Sequence, residues 1–110
     1  MKTINSISNI PNQTIQVPIG DYDYKIRFIY CDGFMAYDFY IDDDIVVQGY
    51  RMTIGQLLIP YSYQEVDGNF ILDTDGSDID YKEFGVTQFL RYLNAEESAD
   101  WREALRNGGR

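Results

Sequence analysis

The sequence predicts a mainly β fold: a small antiparallel β-barrel or sandwich with an N-terminal arm and a short C-terminal helix. Three observations predict it. Ten Tyr and six Phe stand among 110 residues, and aromatic side chains favour strands. Several runs alternate apolar and polar residues with period two. Asp-Gly pairs and short Asp clusters punctuate those runs as turns do. The expected organisation is an arm over residues 1–10, a β-domain over 11–93 and a helix over 94–107.

Taken in order, Thr3 to Pro11 mixes Asn, Ser and Ile without periodicity and reads as an extended arm or an edge strand. It has too little apolar patterning to hold itself on a core, so residues 1–10 are expected to be mobile in the isolated chain. Asn12 to Ile19 alternates, with Ile15, Val17 and Ile19 on one side, and Pro18 argues for a sheet edge. In DYDYKIRFIYC, from Asp21 to Cys31, Tyr22, Tyr24, Ile26, Phe28 and Tyr30 share a face. Asp32-Gly33 turns the chain into Met35–Ile41, and Asp42-Asp43-Asp44 turns it again into Ile45–Met52, with Gly49 placed as a bulge. QLLIPYSY, from Gln56 to Tyr63, is a strand candidate broken by Pro60. Asp67-Gly68 leads into Asn69–Leu72, and Thr87–Leu93 is the last strand. From Asn94 the chemistry is helical. Asn94 is an N-cap with Glu97 three residues on, acids fill the first turn, and Arg102 and Arg106 follow. Asn107-Gly108-Gly109 is the stop signal. Trp101 and Leu105 must dock on something, because so short a helix is marginal alone.

The bulk numbers bound the function. The net charge is −9, and Asp32–Glu83 holds twelve acidic residues against two basic, a local balance of −10. Such a surface repels phosphate, which argues against nucleic acid and anionic membrane as partners. Arg91, Arg102, Arg106 and Arg110 make the C-terminal end mixed or basic. Cys31 is the sole cysteine, so no intrachain disulfide forms; it reads as a small core residue of a reducing compartment. The first residues lack the apolar run of a signal peptide, and synthesis in cytosol is expected. There is no His, so the commonest general base is missing.

The stretch FILDTDGSDIDY, from Phe70 to Tyr81, concentrates carboxylates. Counted as an EF-hand loop from Asp73, Asp75 and Ser77 fit positions three and five. Gly76 comes two residues early, however, and Phe84 holds the place of the bidentate Glu. As a homodimeric aspartic protease, Ile71-Leu72-Asp73-Thr74 is followed by Asp75 where the backbone needs glycine. The plainer reading is a turn at Asp75-Gly76 with solvated carboxylates that keep strand edges apart. A calcium- or carbohydrate-binding β-module and the aspartic protease stand as alternative functions.

The order of the segments carries a resemblance. Ile10-Pro11-Asn12-Gln13-Thr14 opens a strand, and an aromatic-rich strand runs into Asp32-Gly33. Phe39-Tyr40-Ile41-Asp42 precedes Val46-Val47-Gln48-Gly49. Leu57-Leu58, Phe70-Ile71-Leu72-Asp73-Thr74-Asp75-Gly76 and Gly85–Leu93 follow. Over residues 10–93 this resembles the small baseplate plug family of contractile-tailed bacteriophages, the cyanophage-type baseplate plug. The resemblance implies a structural virion protein of the tail baseplate, a plug or hub-associated subunit acting by protein–protein contacts. It implies no catalytic residue, no cofactor or metal, and no small-molecule substrate. Its partners would be other baseplate, hub and tail-tube proteins, with no nucleic acid and no membrane.

Eight residues are candidates for partner contact. Asn12 and Gln13 have amides that could bond a neighbour's sheet edge or serve a local turn. Tyr61 and Tyr63 follow Pro60 and form either an interface ridge or a half-buried strand face. Trp101, Leu105, Arg102 and Arg106 lie on the helix, facing a partner or this domain.

Overall fold

The structure is a computed structural model that describes residues 1–108. Gly109, expected in the helix stop, and Arg110, counted in the basic end, lie outside the described residues. Seven strands form two antiparallel sheets: β1 Lys2–Ile4, β2 Gln13–Ile19, β3 Tyr22–Cys31, β4 Phe34–Ile41, β5 Asp44–Arg51, β6 Asn69–Asp73 and β7 Phe89–Leu93. Among the described residues one α-helix, α1 Ala95–Gly108, follows β7. The larger sheet runs β2-β3-β4-β5 and the smaller β1-β7-β6. The sheets do not close on each other, so of barrel and sandwich the fold is sandwich-like.

The larger sheet is a meander made by its turns. Asp32 and Gly33 between β3 and β4, and Asp42 and Asp43 between β4 and β5, all have positive φ. Such two-residue turns twist the flanking strands in the sense a hairpin needs, and Asp and Gly tolerate the conformation best. β5 is irregular. Its pairing with β4 slips between Tyr37 and Phe39 and again between Phe39 and Tyr40. At the first slip, Gly49 (φ 64°) donates its N–H to the buried carboxylate of Asp38 at 2.7 Å. The bulge expected at Gly49 is therefore present, anchored by an acid that also faces Arg27 at 3.4 Å.

The alternation on β3 works as read: Tyr24, Ile26 and Phe28 are wholly buried while Arg27 is exposed. The sandwich core is aromatic. Tyr24 and Phe39 from the larger sheet meet Phe70 from the smaller at ring-centroid separations of 5.2 and 5.6 Å, and Tyr92 lies 5.3 Å from Phe70. The smaller sheet is covered on its other face too. Ile71 and Leu93 point there, against Leu57 and Trp101 of α1.

Three expectations are corrected. Gln56–Tyr63 is not a strand. Leu58 donates its N–H to the Phe70 carbonyl at 2.8 Å, but the next pairing is made by a side chain. The Asn69 amide accepts from Ile59 N–H and donates to Ile59 C=O, both at 2.8 Å, so a carboxamide does the work of a strand. Pro60 then has no N–H to continue the ladder, and the chain enters a 3-10 turn at Ser62–Gln64. The last strand starts at Phe89 because Glu83 C=O accepts the N–H groups of Val86, Thr87 and Gln88 in a preceding turn. Cys31 is half-exposed at the end of β3 and not in the core. At the N-terminus, Lys2–Ile4 takes the edge-strand form and pairs with β7. Ile4 and Ile7 are each only 6% exposed, two apolar anchors that a search for regular alternation passes over.

Candidate functional site

Three places gather the residues of interest: the mouth of β2, the α1 docking face, and the turn after β6.

At the first, both amides are used within the chain. Asn12 Oδ1 accepts the N–H of Tyr30 at 3.0 Å, where the β2–β3 ladder has ended. Gln13 Oε1 accepts the N–H of Ser8 at 2.9 Å, and its Nε2 donates to the Ser8 carbonyl. These side chains fasten the segment before β2 to the larger sheet.

The start of α1 follows from its sequence. Glu97 N–H donates to Asn94 Oδ1 at 2.9 Å, and Glu97 Oε1 accepts Asn94 N–H at 3.0 Å, a reciprocal cap. The N-terminal ammonium sits on the same carboxylate and, with the Asn94 N–H, lowers its pKa. One helix face is consumed by the domain. Trp101 Nε1 donates to the Gly55 carbonyl at 2.9 Å. Arg102 pairs with Glu65 and donates to the carbonyls of Ile59 and Pro60, each at 2.8 Å. Ser98 is fully buried and gives its O–H to Glu65 at 2.8 Å. Glu65 also accepts from Asn69 at 2.7 Å, so one carboxylate ties α1 to β6. Leu105 and Arg106 remain exposed on the adjacent face.

Beside them stand Tyr61 and Tyr63. They are 52% and 83% exposed, not half-buried on a strand, because the 3-10 turn lifts them off the sheet. Their rings stack at 5.7 Å with an interplanar angle of 17°. The Tyr50 hydroxyl is raised above its ordinary pKa, first by a hydrogen bond with Tyr61. Tyr61, Leu105 and Arg106 line one shallow depression with Pro60 and Arg102.

In the turn after β6, Thr74 C=O accepts Ser77 N–H at 3.1 Å, with Asp75 and Gly76 at φ 53° and 84°. The acidic stretch therefore does turn the chain. The Asp73 carboxylate accepts from Arg91 at 2.8 Å and from Asp75 N–H at 3.1 Å, which hold its pKa below the ordinary value, the arginine first. A protease dyad needs the opposite, a carboxyl that keeps a proton. Among the described residues no three acids converge in a geometry able to hold a metal ion.

Two residues of weight, Asn69 and Glu65, carry little mark in the sequence. Asn69 was placed only as the start of an apolar run after a turn, and Glu65 stood in a stretch without pattern. A carboxamide opening an otherwise apolar run was the one available signal for the first; nothing marked the second.

What this geometry shows is a β-sandwich whose motif-like carboxylate, Asp73, is held by an arginine and by a backbone N–H. The family is narrower. The model of the family described as cyanophage baseplate Pam3 plug gp18 matches residues 1–96, and the chain belongs to that family. It is a structural family of the phage tail baseplate. The match takes in β1 and the segment before β2, and it ends two residues into α1. No curated protein matches the chain.

Proposed function

We propose that the chain is a structural, non-enzymatic subunit of a contractile phage tail, made in the host cytoplasm and built into the baseplate beside hub and tail-tube proteins. It acts by protein–protein contacts and uses no cofactor, small-molecule substrate, nucleic acid or membrane. The observation that carries this is the family match over residues 1–96. The structure adds a surface suited to the task. Tyr61, Tyr63, Leu105 and Arg106 are exposed together; Tyr and Arg give contact area with polar tips, and Leu adds an apolar one. Trp101, Arg102, Asn12 and Gln13 contribute indirectly by holding α1 and the N-terminal segment in place.

The test is composition. Quantitative mass spectrometry of purified virions and of isolated baseplates should find the chain at a fixed ratio to its neighbours, enriched in baseplates. Phage lacking the gene should make tails with defective baseplates, and Tyr63→Ala should reduce incorporation. Finding the protein only as a free species, absent from purified virions, would overturn the reading.

A further inference from the structure

We propose that the cleft between the Asp73–Gly76 turn and α1 is a docking pocket for a basic side chain, lysine or arginine, of a neighbouring baseplate protein. The inference deepens the proposed function and rests on it.

The cleft has a volume of about 340 Å³. Ile71 of β6 forms its floor, Trp101 of α1 one wall, and Ile54, 51% exposed, its lip. The opposite wall is the turn itself, with Thr74, Asp75 and Gly76. An apolar floor with a carboxylate at the rim fits a side chain that is itself apolar along its stem and charged at its head. An indole wall adds to the attraction, because a cation is favoured over its face.

Asp75 is the open group. Both oxygens of Asp73 are engaged, one by Arg91 and one by the Asp75 N–H. The Asp75 carboxylate has no hydrogen bond or ion pair among the described residues, and the positive φ of a closed turn fixes where it points from. Among the described residues no salt bridge reaches Asp75, and Lys25, Arg27, Arg91 and Arg102 are paired elsewhere. With 18 acidic residues against nine basic, the chain presents excess negative charge that a basic neighbour would complement. Thr74 supports the same occupant. It is 96% buried, given its 4% exposure, and its hydroxyl has no partner.

Trp101 is the only tryptophan, so protein labelled with 5-fluorotryptophan gives one fluorine resonance that reports on the cleft. The probes are the capped tripeptides acetyl-Ala-Lys-Ala-amide and acetyl-Ala-Arg-Ala-amide, with the norleucine peptide as the uncharged control. The basic peptides should move the line and bind about 5-fold more tightly than the control, a preference that Asp75→Asn removes. Asn accepts a positive φ, so this variant keeps the turn. In complementation of phage lacking the gene, Asp75→Lys should incorporate about 10-fold less than wild type. Asp75→Asn should fall between them with an unchanged melting temperature. A Trp101 line that the basic peptides do not move beyond the control, or full incorporation of Asp75→Lys, overturns the pocket while an incorporated wild type leaves the proposed function standing. Self-association that Asp75→Asn abolishes also overturns it, since the occupant is then a second copy. Absence of the wild type from particles overturns both.

Discussion

The two sheets are built by different means. The larger one is a meander in which every strand pairs with its sequence neighbour through a turn of two residues. The smaller one joins residues 2–4, 69–73 and 89–93, brought together from across the chain. The first needs only local chemistry: alternating side chains and turn residues that accept positive φ. The second has no short hairpin to set its register. It is held by Asn69 standing in for a strand, by Glu65 linking Arg102, Ser98 and Asn69, and by aromatic rings shared with the larger sheet. Where sequence neighbours do not supply the pairing, a few buried polar side chains do, and each one matters more.

The largest effect should come from the ring both sheets share. Phe70→Ala should cost about 3–5 kcal/mol by leaving a cavity among Tyr24, Phe39 and Tyr92. Thermal unfolding then shows whether the two sheets melt as one. Loss of the smaller sheet alone, with the meander intact, would break the picture of a single cooperative unit.

Asn69→Leu keeps the volume and removes the side-chain ladder. It should cost about 3 kcal/mol, because Ile59 N–H and Phe70 N–H lose their acceptor in the interior, while Ile59 C=O keeps Arg102. Denaturant unfolding measures it. A cost below about 1 kcal/mol would mean that the extended 57–59 segment holds its place by apolar burial alone.

Arg102→Ala should cost about 2 kcal/mol, the penalty of leaving the largely buried Glu65 without its cation. Amide exchange gives the location: protection should fall in α1 and β6 and stay unchanged in β3 and β4. Uniform loss would contradict the division of labour.

The smallest effect is at Asp73. Its pKa is lowered in the folded state, so its contribution to stability is complete above the ordinary value of 3.8 and is lost as pH falls below it through the folded value. The pair with Arg91 is partly exposed, and Asp73→Asn should cost about 0.5 kcal/mol at neutral pH and nothing in acid. A larger loss, or a loss that persists in acid, would assign the residue another role.

Legibility followed the same division. The meander could be read because each strand carries period two and each turn an Asp or Gly pair; β3 was placed nearly to the residue. The helix was readable from Asn94 and Glu97, whose cap is local. Gln56–Tyr63 was misread because LLI looks like a strand when its partner is a side chain. Ile4 and Ile7 were missed because their contacts lie beyond any local window. At the candidate site, sequence named Tyr61, Tyr63, Leu105 and Arg106, which the structure leaves exposed. It could not tell them from Trp101 and Arg102, which the domain uses itself. Exposure is a property of the whole packing, and neither residue type nor spacing records it.

The irregular strand β5 has a bearing on how such a subunit survives before it is assembled. A free sheet margin is a template on which identical copies can stack without limit. Here one margin carries two slips and a glycine turned toward Asp38, and the other carries Pro18. Neither offers a long flat row of donors and acceptors to a copy of itself. A cell that makes this chain in excess of its sites should therefore accumulate it as dispersed units and not as fibrils, ready for the partner whose shape completes it.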